Sequence, residues 1–126
     1  MSEQHPHVVL ARKCFDSIVS RDFAALKEIF AEDAVMWQNV RGVEVLFAAN
    51  ISAIEQLLAP LQAFSYTGIT CEATETGFVE QHLATGINRL GEAFSIPVCV
   101  VGTVVNGRIT RTAEYVDGRA GGVLRS

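Results

Sequence analysis

Long apolar runs are scarce in this sequence, and their scarcity argues against a helix that crosses a membrane. The longest apolar stretch, from Val98 to Val105, is interrupted by Gly102 and Thr103 and is much shorter than the roughly 20 residues that a spanning helix needs. The N-terminus also lacks the basic segment and apolar block of a secretory signal. We therefore expect a cytoplasmic protein without a membrane partner.

Cysteine and positive charge are sparse as well. The three cysteines, Cys14, Cys71 and Cys99, are far apart and form no CxxC motif, which argues for reduced thiols rather than a disulfide framework or a zinc site. Ten Lys and Arg residues against 14 Asp and Glu residues give a net charge of −4, so a nucleic-acid partner is not expected. Phosphate-binding and dinucleotide-binding motifs are missing from the sequence, and we expect no cofactor and no metal.

Apolar residues, by contrast, are abundant. Of the 126 residues, 49% are hydrophobic, and the mean hydropathy of +0.27 is high for a small domain. This composition predicts a single domain over residues 1–126, with flexible ends at 1–7 and 118–126. It also indicates apolar surface beyond one core, either in a pocket or at a subunit interface.

The N-terminal half has the periodicity of helices. Apolar residues recur at helical spacing from Val8 to Val19, and Asp22 is placed to cap a second helix from Phe23 to Phe30. A short extended run follows at Ala34–Trp37, and a third helix is expected from about Ser52 to about Gln62.

The C-terminal half has the composition of strands. Four segments rich in Val, Ile, Thr and aromatic residues predict strands at Phe64–Glu72, Phe78–Ile87, Phe94–Val105 and Arg108–Val116. Asn106-Gly107 between the last two is a strong hairpin signal, because both residues tolerate the positive φ of a two-residue turn. Three helices followed by antiparallel strands predict an α+β fold, in which a curved antiparallel sheet forms a cone covered by the three N-terminal helices.

The strand Phe94–Val105 is apolar on both faces. Val98 shares one face with Ile96 and Val100, while Pro97, Cys99 and Val101 share the other. A strand that is apolar on both sides needs cover on both sides. The helices supply one cover, and a second copy of the chain is expected to supply the other, which predicts a homodimer through the outer sheet face.

Two segments resemble a known superfamily. The run CFDSIVSRDFAALKEIFAEDAV and the ending NGRITRTAEYVD resemble the nuclear transport factor 2-like superfamily, in its SnoaL-like and ketosteroid isomerase-like branch, and FAEDAVMWQN is similar to a segment of limonene-1,2-epoxide hydrolases. The resemblance covers Val9 to Asp117 and implies a cone-shaped, cystatin-like fold that is usually dimeric. It does not choose an activity, because this fold hosts hydrolases, isomerases, cyclases, dehydratases and binders.

Glu114 is the catalytic candidate that the resemblance implies, because the epoxide hydrolases carry a catalytic acid at the matching position. A carboxyl inside an apolar cone has its charged form desolvated, and the raised pKa suits proton transfer near neutral pH. The alternative is a glutamate at the rim, facing solvent. If Glu114 faces inward, strand alternation places Thr112 on the same face.

The second predicted strand, Phe78–Ile87, leaves two alternatives open for the face that lines the cone. Gln81 and Leu83 lie on its more apolar face, which we expect to line the cone, and they match the positions of an arginine and a second acid in the epoxide hydrolases. Glutamine and leucine cannot replace the arginine and the acid, so an epoxide hydrolase with this sequence would have an incomplete, degenerate catalytic set. If the register is shifted by one residue, Glu80 and His82 face inward instead and form an acid/base pair beside Glu114.

The remaining candidates are substrate-binding residues. The resemblance places Trp37 and Asn39 where the epoxide hydrolases orient their catalytic water. We expect Trp37 to line the pocket wall, Asn39 and Gln81 to position a polar group of the substrate, and Leu83, Val98 and Thr112 to contact it. Core packing is the simpler alternative for Trp37.

Two functions from different classes are consistent with these residues. The first is a cofactor-free enzyme of isomerase, cyclase or dehydratase type, in which Glu114 transfers a proton on a small hydrophobic substrate. The second is a non-catalytic ligand-binding or accessory dimer of the same fold.

Overall fold

The computed structural model describes residues 4–122, without the side chains of residues 120 and 121. Helix α1 spans Pro6–Ser20, α2 spans Phe23–Ile29 and α3 spans Phe47–Leu58. The strands are β1 (Phe30–Gln38), β2 (Glu44–Leu46), β3 (Ala63–Ala73), β4 (Gly77–Ile87), β5 (Ala93–Val105) and β6 (Arg108–Val116), followed by a single turn, α4 (Gly118–Gly121). No helix in this part of the chain is both long and apolar enough to cross a membrane. Flexible ends are expected at residues 1–7 and 118–126, of which residues 1–3 and 123–126 lie outside the described residues.

The six strands form one sheet in the order β2-β1-β6-β5-β4-β3. All neighbours are antiparallel except β1 and β6, which run parallel. Helices α1 and α3 cover the inner face of this curved, unclosed sheet, and Phe15, Leu26, Phe47, Phe78 and Ile96 belong to the core that lies there. The predicted α+β architecture of three helices on a curved sheet is confirmed.

Local sequence signals determine several element ends. The side chain of Asp22 accepts a hydrogen bond from the backbone N–H of Ala25 and caps α2, as predicted. Asn106 and Gly107 adopt φ values of 51° and 78° in the β5–β6 hairpin, the left-handed conformation that this turn demands.

Helix α3 is the element whose predicted bounds are wrong. It begins at Phe47 and ends at Leu58, whereas the sequence predicts a helix from about Ser52 to about Gln62. The N-terminal error arises because Leu46 precedes the helix without a side-chain cap, so the sequence carries no polar start signal. At the other end, Pro60 removes a backbone donor and favours an earlier stop.

The two faces of β5 differ in their exposure within a single chain. Ile96, Val98 and Val100 are buried in the core. On the opposite face, Pro97 is exposed and Val101 keeps 40% of its surface exposed. Val98 is the first residue of β5 that pairs with β6. Pro97 therefore has no partner on β6 that would need the N–H that proline lacks.

Candidate active site

A cavity of about 340 Å³ lies between the inner face of the sheet and helices α1 and α3. This volume equals that of about eleven waters in the liquid, so the cavity accommodates a molecule of about ten heavy atoms. Apolar side chains from α3 and the sheet form most of its wall, among them Ile54, Leu58, Phe64, Ala84 and Val98. Mostly apolar walls with a few polar groups are typical of small-molecule sites.

Glu114 lines this cavity from β6 and is held by a neighbour on β1. The parallel register sets Gln38 directly beside Glu114, and Gln38 Nε2 donates a 2.8 Å hydrogen bond to Glu114 Oε1. The amide thereby fixes one carboxyl oxygen and leaves the other for a ligand. Gln38 was not among the substrate-binding residues predicted from the sequence.

The surroundings of Glu114 raise its pKa above the ordinary value of a glutamate. Burial is the main cause, because the charged carboxylate loses its hydration. The hydrogen bond from Gln38 and the proximity of His82 act in the opposite direction, and the negative charge of Glu80 raises the pKa further. The balance favours a protonated carboxyl at a higher pH than for an exposed glutamate, which is what a general acid near neutrality requires.

Strand β4 turns towards the cavity the face opposite to the one expected from the sequence. Glu80 and His82 are buried, with 0% and 6% of their surface exposed, and His82 lines the cavity. Gln81 and Leu83 are exposed on the outer face, so their expected placement in the cone is wrong. The register with β5 decides this, because Glu80 pairs with the buried Val100 and His82 with the buried Val98.

Glu80 and His82 form a buried hydrogen-bonded pair. His82 Nδ1 lies 2.7 Å from Oε1 and 2.8 Å from Oε2 of Glu80. The ring of Tyr66 stacks on His82 with 3.9 Å between ring centroids. The ring of Phe15 packs against the same imidazole with 5.5 Å between ring centroids. These contacts compensate for the burial of two ionisable side chains in the core.

Trp37 and Asn39 do not line the cavity either. Trp37 pairs with Ala113 on β6 and packs against Tyr115 on the outer face, with 5.3 Å between ring centroids. Its neighbours Met36 and Gln38 face inward instead, because side chains alternate along a strand. The expected roles of both residues in the pocket are therefore corrected.

The side chain of Asn39 serves the backbone of β6. Asn39 Nδ2 donates to the carbonyl oxygen of Val116, and the N–H of Val116 donates to Asn39 Oδ1, both at 3.0 Å. This pair of bonds ties the end of β1 to the end of β6, beside the cavity mouth.

Val98 and Thr112 lie on the inner face of the sheet, as expected. Val98 lines the cavity from β5. Thr112 is buried beside Met36 on β1, and its Oγ1 has no hydrogen-bond partner in the described part of the chain. It lies beneath the cavity wall rather than in it, so its predicted contact with substrate has no support from its position.

Tyr66 is a further site residue, and it is not among those predicted from the sequence. It lines the cavity from β3 together with Phe64. Burial and the proximity of Glu114 raise the pKa of its phenol well above the ordinary value, so the hydroxyl stays protonated and is a hydrogen-bond donor. The alternation of Phe64 and Tyr66 with polar residues along the strand is the signal that could have identified it.

Residues 11–112 match the family model of the SnoaL-like domain. The chain belongs to the SnoaL-like family. No curated protein matches this SnoaL-like chain in sequence.

Solved structures resemble the whole SnoaL-like fold. A candidate polyketide cyclase from Xanthomonas campestris pv. campestris is 17% identical, with a TM-score of 0.80 over 94% of this chain and 96% of that chain. An LEH-like epoxide hydrolase from M. tuberculosis is 18% identical, with a TM-score of 0.76 over 95% and 90%. A protein with a ketosteroid isomerase-like fold from Catenulispora acidiphila, in complex with trimethylamine, is 15% identical, with a TM-score of 0.72 over 84% and 83%. At these identities the likeness shows a shared fold.

The raised pKa of Glu114 predicts a pH dependence of the stability of this SnoaL-like domain. Because the folded state binds the Glu114 proton more tightly than the unfolded chain, the stabilisation is complete at low pH and is lost as pH rises through the raised pKa. The glutamine of Glu114→Gln cannot ionise and does not lose this stabilisation. The free energy of unfolding of the variant minus that of the wild type should therefore increase from pH 4.5 to pH 7.5. Urea denaturation at both pH values measures this difference.

Glu75→Gln is the matched control, because Glu75 is exposed on the surface. Its free energy of unfolding should follow that of the wild type over the same pH range. A Glu114→Gln variant that behaves like this control would contradict the burial of the Glu114 carboxyl.

Proposed function

We propose that this protein is a cofactor-free enzyme that transfers a proton on a small, mostly apolar substrate, with Glu114 as the proton-transferring group. The observation that carries the proposal is a protonatable carboxyl, held by Gln38 through a 2.8 Å hydrogen bond, in a cavity with apolar walls. Such walls exclude water and strengthen the electrostatic effect of each polar group inside.

Isomerases, cyclases and dehydratases share a step that this cavity suits, namely removal of a proton from the carbon next to a carbonyl. A base takes the proton from carbon, the C–H electron pair forms the C=C bond of the enol, and the π pair of the carbonyl moves to its oxygen, which takes up a proton. A protonated Glu114 supplies that proton as a general acid, and the hydroxyl of Tyr66 on the same cavity wall is a second donor for the oxygen. The structural neighbour described as a candidate polyketide cyclase is consistent with this class of reaction.

Epoxide hydrolysis is the second candidate, and one observation favours it. Glu114 and His82 line the cavity, and a second carboxyl, Glu80, is buried beside it and hydrogen-bonded to His82. Epoxide opening needs an acid for the ring oxygen and a base for the attacking water. The structural neighbour described as an LEH-like epoxide hydrolase supports the comparison, although the residues of this chain differ from the set that its resemblance implies.

Two probes of equal composition separate these reactions. Acetophenone and styrene oxide are isomers and are within the size of about ten heavy atoms that the cavity accommodates. Proton NMR in D₂O follows loss of the methyl signal of acetophenone, and chromatography follows formation of the diol from styrene oxide. Deuterium exchange above the buffer rate supports the first function, and diol formation supports the second. Saturable binding without either reaction would overturn the enzymatic proposal in favour of the ligand-binding alternative.

We also propose that the protein is a homodimer through the outer sheet face. The outer faces of β4, β5 and β6 expose Leu83, Val101 and Tyr115, with 38%, 40% and 46% of their surfaces accessible. Removing such neighbouring apolar side chains from water favours association. The uncharged centre of this face suits a second identical face, because an isologous interface brings the same patch of both copies together and like charges there would repel.

Sedimentation at micromolar concentration is expected to give twice the chain mass of 13.7 kDa. Val101→Asp should shift the protein to the monomer, because it sets a charge at the centre of the apolar face. Ala48→Asp, which adds the same charge at an exposed position on α3, should remain dimeric. A wild-type monomer at these concentrations would contradict the dimer.

A further inference from the structure

The buried pair of Glu80 and His82 has no role in the transfer by Glu114 alone, although it is expensive to maintain. Glu80 is fully buried, and His82 retains 6% of its surface. Removing two ionisable groups from water is strongly unfavourable unless they pair well. A side chain retained in such an arrangement beside a cavity is a candidate for function.

The geometry of the pair determines which imidazole nitrogen is basic. Both hydrogen bonds of His82 in the described part of the chain join Nδ1 to the Glu80 carboxylate. A carboxylate only accepts, so Nδ1 carries the proton and Nε2 carries the lone pair of the neutral ring. Since the ring also lines the cavity, its basic nitrogen is available to a molecule bound there.

The neighbouring rings keep the imidazole in this orientation. Tyr66 stacks on it with an interplanar angle of 23°, and Phe15 contacts it from α1. The titratable groups that surround it are Glu80 on its own strand, Tyr66 on β3, Glu114 on β6 and Cys14 on α1. Among these, Glu80 alone is hydrogen-bonded to the imidazole.

His82 and Glu114 approach the cavity from two strands that flank β5. Glu80 pairs with Val100 and Val100 pairs with Glu114, while His82 pairs with Val98. Two strand spacings separate the backbones of β4 and β6 by about 10 Å, and Val98 forms the wall between them. A small molecule over this part of β5 therefore has His82 on the β4 side and, one residue pair further along the strand, Glu114 on the β6 side.

We propose that His82 is the general base of this site and that Glu80 is its positioning residue. His82 Nε2 takes the proton from the carbon next to the carbonyl, the C–H electron pair forms the C=C bond of the enol, and the carbonyl oxygen takes the proton of Glu114. Return of a proton from the imidazolium to carbon and from the enol oxygen to Glu114 completes the exchange. This assignment rests on the proposed proton-transfer function and narrows its substrate to an enolisable carbonyl compound of about ten heavy atoms.

Phenacyl bromide tests the assignment without knowledge of the natural substrate. It has the size of the cavity and carries a ketone beside a reactive carbon. Nε2 forms a C–N bond to that carbon and bromide leaves, so a cavity-facing lone pair is converted into a stable label. Peptide mapping by mass spectrometry should find the label on His82.

Glu80→Gln is the decisive variant, because an amide no longer imposes one tautomer on the ring. Labelling of His82 should slow at least about tenfold, as expected when a base loses the carboxylate that orients it, and Glu80→Asp should restore part of the rate. Labelling of His5, which is exposed at the N-terminus of α1, is the internal control and should not change. Nitrogen-15 NMR of the wild type should show Nδ1 protonated and Nε2 unprotonated in the neutral ring.

The outcomes separate this inference from the proposed function. Labelling of His5 without labelling of His82, or a proton on Nε2 rather than Nδ1, would overturn the role of His82 even if acetophenone exchanges its protons. An unchanged rate and pH profile in Glu80→Gln would overturn the positioning role of Glu80. Labelling of His82 at Nε2 in a protein that catalyses neither probe reaction would support the basic nitrogen and contradict the enzymatic proposal.

Discussion

Glu114→Gln is expected to lower the rate of proton exchange by about 10²- to 10⁴-fold, the usual contribution of a positioned acid or base. The glutamine occupies the same space and keeps an oxygen that can accept the hydrogen bond from Gln38, but it has no proton to transfer. The loss should therefore be in kcat, with little change in KM, because the variant still fills the same wall of the cavity. Deuterium exchange into acetophenone, followed at several ketone concentrations, measures both constants.

Two comparisons make this result specific to the carboxyl of Glu114. Glu75→Gln, the same change at an exposed position, should keep the wild-type rate. Glu114→Asp keeps an acid but retracts it from the substrate and should retain part of the activity. Wild-type turnover by Glu114→Gln, in a protein with wild-type folding, would refute the assignment of Glu114.

The second large effect is expected on stability rather than on activity. His82→Leu leaves the carboxylate of Glu80 buried without its hydrogen-bonded partner. A buried carboxylate left without its partner costs about 3–5 kcal/mol, because its charge is no longer compensated, and this is a large part of the total stability of a small domain. The midpoint of urea denaturation at neutral pH should fall accordingly.

The double variant Glu80→Met/His82→Leu is the matched comparison. It removes both ionisable groups and replaces them by apolar side chains of similar volume, a change that is often neutral or stabilising. The double variant should therefore be more stable than His82→Leu alone, even though it carries one more substitution. Where His82→Leu does not fold, recovery of folding in the double variant tests the same point. A double variant less stable than His82→Leu would contradict the buried pair.

The fold was largely predictable because its signals are local. Asp22 caps α2 through its side chain, and Asn106-Gly107 turns the last hairpin through positive φ values, so both signals act within a few residues. The start of α3 was not predictable in this way, because Leu46 provides no cap and tertiary packing of Phe47 and Ile51 in the core holds the first turn instead. The parallel pairing of β1 with β6 joins segments distant in the sequence and has no local signal.

The candidate site was predictable only where hydropathy and alternation agree. Glu114 faces the cavity as expected, because its strand alternates in register with buried neighbours. On β4 the more apolar face, which carries Gln81 and Leu83, is turned outward, while Glu80 and His82 on the other face are buried. Ranking faces by hydropathy fails there because the carboxylate and the imidazole satisfy each other in the core. On β1 the alternation of side chains likewise places Gln38 in the cavity wall, where Trp37 was expected.

Carbon-13 NMR titration of the Glu114 carboxyl, with and without acetophenone, is the measurement that decides whether Glu114 is a proton donor. The carboxyl should titrate above the ordinary pKa of a glutamate, because burial disfavours its charge. Acetophenone should also shift the signal, because a proton donor in this cavity must come within hydrogen-bond reach of the ketone oxygen. A carboxyl that titrates as in an exposed glutamate and does not respond to the ketone would show that Glu114 is not a proton donor in this cavity.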